Sequence, residues 1–182
     1  MEFKETDLKG VYIIKPNVFP DDRGFFFESF SDRKFKEQGL SLNFVQDNIS
    51  SSKKGTIRGL HYQIGEFAQG KLCQVLSGKV LDVAVDIRFG SPTFGKYVTV
   101  ELSEENHNQI WIPPGFAHGF SVLSDTAIFH YKCTAFYSKK DERSILFNDK
   151  DLNIDWKVDA LAISDKDLKG KSFREIDKDF VY

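Results

Sequence analysis

The chain has 182 residues, a formal net charge of −2 and two cysteines. That length fits one domain with a single substantial core, and the near-neutral charge excludes a broad electrostatic footprint for nucleic acid, so any phosphate must be recognised by a few placed cations. No apolar run approaches a membrane span, and the start Met1-Glu2-Phe3-Lys4-Glu5 is charged where a secretory signal would be apolar. Two cysteines are too few to staple a fold, and the expectation is a reducing cytoplasm.

In chain order, strands are expected at residues 11–14 and 25–30. A short helix follows at 32–38, with Ser31 as N-cap and Gly39 just past its end. Further strands are expected at 44–49, 56–63, 71–76, 80–88, 97–102, 109–112, 118–123 and 128–136, and another turn or two of helix after Ser164 as a cap. The clearest strand is the one in which Leu81, Val83, Val85 and Ile87 alternate with Asp82, Ala84, Asp86 and Arg88, the period of a half-polar strand. Ser77-Gly78, between two such runs, reads as a hairpin turn. Many short strands with Gly and Pro punctuation mean an all-β sandwich or barrel with short peripheral helices. Most of the 18 phenylalanines are core filler for such a barrel, while those at Phe25–Phe27 are candidates to line a ligand or a partner.

Two segments stand out: Gly55-Thr56-Ile57-Arg58-Gly59-Leu60-His61-Tyr62-Gln63 and Pro113-Pro114-Gly115-Phe116-Ala117-His118-Gly119-Phe120. They resemble the two motifs of a cupin β-barrel, which selects the jelly roll, but a metal-binding cupin carries His-x-His in the first motif where this chain reads His61-Tyr62-Gln63. A divalent ion is left with His118 and at most one other imidazole, too few for three protein ligands, so no metal is expected. Strand parity gives Lys71, Cys73 and Val75 one face and Phe129, Tyr131 and Cys133 another; if Lys71 and Tyr131 face the lumen near its mouth, Cys73 and Cys133 lie deeper as small apolar groups. By the same count Ile57, Gly59, His61 and Gln63 share an inner face. Arg58 then faces outward unless Gly59 marks a bulge that resets the parity, and the bulge is the expectation adopted. A lone strand histidine is more often a wall residue bonded to a carbonyl. The company of Lys71 and Tyr131, with a carboxylate such as Asp167 to hold the ring in one tautomer, shifts the reading to an acid–base site. Lys166 is singled out from a solvated basic run only because it adjoins Asp167.

Over nearly its whole length the chain resembles the dTDP-4-dehydrorhamnose 3,5-epimerases, metal-free cupin-fold isomerases of dTDP-L-rhamnose synthesis that need no cofactor. The resemblance is carried by residues 22–28, Gln46-Asp47-Asn48-Ile49-Ser50, residues 55–63, Lys71, residues 86–95, residues 111–120, Tyr131 and Ser164-Asp165-Lys166-Asp167. It implies His61 as base, Asp167 as its orienting carboxylate, Tyr131 as proton donor and Lys71 beside the sugar carbonyl. It also implies that Arg23, Glu28, Gln46, Asn48, Arg58, His118, Glu142 and Lys166 hold the nucleotide, diphosphate or sugar, with Tyr137 near the pocket. The family is a homodimer that exchanges N-terminal strands, so residues 1–50 of the single domain 1–182 are expected to include exchanged strands, with Arg23 and Glu28 serving either their own or the partner's site. Two departures from the family pattern are Glu142-Arg143-Ser144-Ile145-Leu146-Phe147-Asn148-Asp149-Lys150 and Lys157, which follows Trp156 in place of the usual proline. The alternatives that the residues leave open are C3-only epimerisation or 3,4-ketoisomerisation of a related nucleotide sugar, a metal-dependent cupin, and a non-catalytic sugar-nucleotide-binding jelly roll.

Overall fold

The alternating segments do form strands. In the computed structural model, which describes Met1–Tyr182, they are β1 (Glu2–Glu5), β2 (Tyr12–Lys15), β3 (Val18–Asp21), β4 (Gly24–Phe27), β5 (Gln46–Lys53) and β6 (Ile57–Gln63). They continue as β7 (Lys71–Ser77), β8 (Lys79–Asp86), β9 (Tyr97–Ser103), β10 (Gln109–Ile112), β11 (Phe116–Val122), β12 (Thr126–Cys133) and β13 (Glu142–Ser144). One sheet runs β1-β2-β10-β7-β12-β5, the other β13-β6-β11-β8-β9, and β3–β4 is a separate two-stranded arm. All pairings within these sheets are antiparallel, as in a β-sandwich of jelly-roll type.

Ser77-Gly78 is not a hairpin. β7 and β8 lie in different sheets, so this turn carries the chain around a corner of the sandwich. Gly78 sits at φ +78°, and a Cβ there would stand 2.1 Å from the carbonyl oxygen of Thr126, so only glycine fits the corner.

β8 is also not half-solvated. Val83, Val85 and Ile87 pack outward beneath the C-terminal segment with Leu60, Tyr62, Leu152, Trp156 and Ile176, while Val80 and Ala84 join the core between the sheets. The acids of its other face are fully buried: Asp82 looks into the sandwich, and Asp86 is tied down by Arg88, Ser91 and Thr93. Periodicity reports two faces but not what covers them.

A third cluster (Ile14, Phe35, Leu72 and Trp111) buries the helix α1 (Asp32–Glu37) against the first sheet. Ser31 occupies the N-cap, but its hydroxyl makes no capping bond. Gly39, at φ +78°, lies just past the end as expected.

β5 differs most from expectation. It begins at Gln46 and runs on through the serines, and its exposure is inverted. Gln46, Asn48, Ser50 and Ser52 turn inward, while Ile49 is 67% exposed on an edge strand. The inward face borders a polar cavity, so the hydrophobic pattern points the wrong way. β1, β3 and β13 escaped the sequence reading because they are short and owe their form to cross-strand partners.

Candidate active site

A cavity of about 740 Å³ opens between the sheets, lined by polar side chains from strands on both sides. His61 from β6, Lys71 from β7, His118 from β11 and Tyr131 from β12 reach it, together with Arg58, Glu142, Lys166 and Asp167.

The bulge at Gly59 decides which residues of β6 take part. His61 pairs with His118 and Arg58 with Phe120, so β6 spends three steps where β11 spends two. Gly59 sits at φ +128°, where an added Cβ would stand 2.5 Å from Gly119 Cα. The parity therefore resets as expected, and Arg58 turns into the cavity, where its Nε donates to Ser52 Oγ at 3.0 Å. Ile57 borders the cavity as well, but its buried side chain packs with Leu60 and Tyr62 in the cluster outside the sheet rather than sharing the face of His61. Gln63 is buried for a structural reason. Its amide nitrogen donates to the carbonyls of Phe67 and Phe136, and its oxygen accepts from the Ser138 N–H, which pins the loop that carries Tyr137.

His61 Nε2 stands 2.5 Å from Asp167 Oδ1. With the carboxylate accepting the Nε2 proton, Nδ1 is left as the basic atom. Asp167 comes from the far end of the chain, at the start of a 3-10 turn (Asp167–Lys169), and its N–H donates to Ser164 Oγ at 3.2 Å; Ser164 is not the cap expected from the sequence, because the N-cap position falls to Lys166 and no side chain caps the turn. Burial lowers the His61 pKa below the ordinary imidazole value, outweighing the hydrogen bond and charge of Asp167; the charges of Lys166 and Lys71 push it further down. Burial alone would raise Asp167, but its hydrogen bond and charge pairing with His61 hold it below the usual carboxylate value. At neutral pH this pair is a neutral imidazole backed by a carboxylate.

Lys71 Nζ lies 5.8 Å from the centre of the Tyr131 ring. Burial, with the nearby thiols of Cys133 and Cys73, pushes the Tyr131 hydroxyl up to about 12, so it remains a proton donor. Cys133 is buried as expected; Cys73 is buried too, but it does not pack against apolar atoms alone. Its Sγ is 3.9 Å from His118 Nε2, which in turn lies 3.0 Å from Asp82. Burial holds the Cys73 thiol well above its usual value, so it stays protonated.

At the rim, Tyr137 donates to Glu142 at 3.0 Å, and Lys166 pairs with the other oxygen of Glu142. Gln46 and Asn48 stand beside this rim: Gln46 accepts from the Tyr137 N–H and donates to Asn48, and Asn48 donates to Cys133 Sγ. Arg23 and Glu28 do not reach this cavity within one chain. Arg23 is paired with Asp21 at the tip of the β3–β4 arm, and Glu28 with Lys34.

The sequence reading missed Ser50, Ser52 and Lys53, which line the cavity, and Asp82, which backs His118. Ser50 Oγ is buried without a partner. The two serines were within reach, because they share the period-two face of Gln46 and Asn48. Of the two departures from the family pattern, residues 142–144 form β13 against β6, and Lys157 adopts φ +59°, a backbone that proline cannot take.

The family model described as dTDP-4-dehydrorhamnose 3,5-epimerase matches residues 5–175. A relative of that name from Shigella flexneri is 55% identical over 178 residues, covering 97% of this chain and 98% of that one. Among solved structures, a dTDP-6-deoxy-D-glucose-3,5-epimerase from Legionella pneumophila, in complex with dTDP-4-keto-L-rhamnose, superposes with a TM-score of 0.95 at 49% identity, covering 100% of this chain and 98% of that one. A dTDP-4-dehydrorhamnose 3,5-epimerase from Elizabethkingia anophelis gives 0.91 at 52% identity, over 96% and 97% of the two chains.

Proposed function

The chain belongs to the dTDP-4-dehydrorhamnose 3,5-epimerase family and acts on dTDP-4-keto-6-deoxyglucose, and we propose that it inverts C3 and C5 with His61 as base and Tyr131 as acid. The observation that carries this assignment is the pairing of a neutral, carboxylate-backed imidazole with a protonated phenol in one polar cavity.

The chemistry explains why these residue types are needed. The C3 and C5 protons of a 4-keto sugar are acidic because the resulting carbanion spreads its charge onto the C4 oxygen. His61 Nδ1 takes such a proton, and a positioned base of this kind contributes on the order of 10²–10⁴ in rate. The enolate oxygen needs a cation; Lys71 supplies it, for a further ~10²–10³ by analogy with oxyanion-hole donors. Inversion requires the new proton to arrive on the opposite face, and Tyr131 delivers it. Before the second carbon reacts, the His61 imidazolium gives its proton to solvent and the Tyr131 phenolate takes one back, so the same set serves both carbons. Arg58, Lys166 and Lys53 give the cavity the positive charge that a nucleoside diphosphate requires, with Arg58 suited to a forked contact. His118 contributes a contact to the sugar from the cavity floor. Glu142, Tyr137, Gln46 and Asn48 hold the nucleotide end at the rim.

The working unit is a homodimer in which the β3–β4 arm reaches the partner's cavity and brings Arg23 and Glu28 to it. In its favour, Phe19, Phe25 and Phe26 are 61%, 59% and 69% exposed on that arm, and the edge strand β5 presents Ile49 outward. Mixing Arg23→Ala and His61→Ala chains under exchange conditions restores one intact site per heterodimer if Arg23 acts across the interface. Absence of any recovery sinks the exchange. The surroundings are the cytoplasm, where both free cysteines stay reduced.

Tyr131→Phe tests the acid. The change keeps the ring volume, so the barrel is expected to fold and bind dTDP as before. Incubated with dTDP-4-keto-6-deoxyglucose in D₂O and followed by NMR, the variant is expected to wash deuterium into the sugar while inversion fails, most severely at C5. Full 3,5-epimerisation at the wild-type rate removes Tyr131 from the mechanism.

A further inference from the structure

Beneath the cavity floor, where His118 reaches the cavity and Cys73 and Asp82 lie buried behind it, stand three potential metal ligands that the motif comparison with metal cupins does not anticipate. Cys73 from β7, Asp82 from β8 and His118 from β11 place one sulfur, one carboxylate oxygen and one imidazole nitrogen within 4.8 Å of one another. Cys73 and Asp82 are fully buried, and His118 is 7% exposed. Sγ is 3.9 Å from His118 Nε2, and Nε2 is 3.0 Å from Asp82 Oδ2. In a tetrahedral zinc site, bond lengths of about 2.0–2.3 Å put neighbouring ligand atoms ~3.3–3.8 Å apart. The observed edges straddle that spacing, so small side-chain movements suffice.

A second observation points the same way. The carboxylate of Asp82 is fully buried, and its one protein hydrogen-bond donor is His118, although a carboxylate has about four acceptor sites. A thiolate and a carboxylate together neutralise a divalent cation, which removes the main obstacle to placing such an ion in a low-dielectric floor. Mixed sulfur, nitrogen and oxygen donors suit zinc or cobalt rather than magnesium or calcium.

From this arrangement we infer that Cys73, Asp82 and His118 form a binding site for a soft divalent cation, whose occupation inhibits the enzyme. Binding exchanges one S–H bond for a sulfur–metal bond, and the thiol proton goes to solvent. The Nε2 proton that now serves Asp82 is replaced by one on Nδ1, leaving the imidazole neutral with Nε2 on the metal. His118, the one ligand that lines the cavity, is then withdrawn from the sugar. The metal is no part of catalysis; it is a brake built from catalytic surroundings. Binding itself is independent of how His61 and Tyr131 are assigned, and only the inhibition arm rests on the proposed contact between His118 and the sugar.

The test uses full-length protein stripped with EDTA and dialysed free of it. Titration with cobalt(II) is expected to give one ion per chain, with a thiolate-to-cobalt charge-transfer band and the visible bands of a tetrahedral site. Cys73→Ala should lose the band, and Cys133→Ala should keep it. Zinc should inhibit the wild type reversibly, with EDTA restoring full turnover, and Cys73→Ala should need ~10–100-fold more zinc while retaining its metal-free rate. Cys73→Ser, which keeps the size of the side chain, serves the same comparison if the alanine variant unfolds by circular dichroism. No band in folded wild type, or an equal band in Cys73→Ala, overturns the site. A band without inhibition overturns the brake and, with it, the contact of His118 with the sugar.

Discussion

Two histidine–aspartate pairs face each other across one register step of the same sheet, since His61 on β6 pairs with His118 on β11. In each, Nε2 meets a carboxylate, at 2.5 Å for Asp167 and 3.0 Å for Asp82. Their settings differ. The His61 side chain is 25% exposed, and its carboxylate arrives on a C-terminal 3-10 turn. The His118 side chain is 8% exposed, and its carboxylate is built into the middle of β8, between β11 and β9. On the proposed assignment, the same pair of side chains yields a base open to substrate in one place and a fixed floor in the other. Access to the cavity and the element that supplies the carboxylate separate the two roles.

The largest expected contrast is between the histidines. His61→Ala should lower kcat by on the order of 10²–10⁴ and abolish deuterium incorporation at both C3 and C5, because one base is proposed to serve both carbons. His118→Ala should act mainly on KM and on stability, since it leaves Asp82 buried without its donor. Wild-type exchange at either carbon in His61→Ala would require another base and dissolve the distinction between the pairs.

A smaller contrast is expected between the carboxylates. Asp167→Asn should leave dTDP affinity nearly intact while reducing turnover ~10–100-fold, by analogy with the partners that orient metal-ligating histidines. Asp82→Asn should instead cost ~1–3 kcal/mol of folding stability, read from the urea midpoint, with a lesser loss of turnover per folded molecule. If the two variants prove interchangeable in both measurements, their placement in the fold does not govern their roles.

The pH profile offers the finest test. In the proposed mechanism the neutral form of His61 is the active one, and its pKa is lowered from the ordinary 6.5, so kcat/KM should rise with pH along a limb below that value and then level off. Tyr131, raised to about 12, adds no falling limb in the physiological range. Asp167 raises the His61 pKa by its hydrogen bond and charge, so Asp167→Asn should move the limb to lower pH, whereas Asp82→Asn should leave it in place. A limb that moves only in the Asp82 variant would reverse the assignment of the two pairs.

Strand periodicity and glycine chemistry were enough to read an all-β sandwich or barrel, the shared face of Lys71 with Cys73 and of Tyr131 with Cys133, and the bulge that turns Arg58 inward, because parity and the demands of φ > 0 are local properties. The roles proposed for His61, Asp167 and Tyr131 came from the company of Lys71, Tyr131 and a carboxylate together with several motifs in one order that resemble a known family; taken alone, His61 was an ordinary wall histidine. What the tertiary structure decided is long-range. That Ser77-Gly78 is a corner between sheets, that β5 turns its serines inward, and that Asp82 lies beneath His118 rather than in water all depend on which strands become neighbours. The convergence of Cys73 with that pair has the same origin. A period of two assigns each side chain to one of two faces, and only the packing of the second sheet and the C-terminal segment determines whether that face meets solvent, core or substrate.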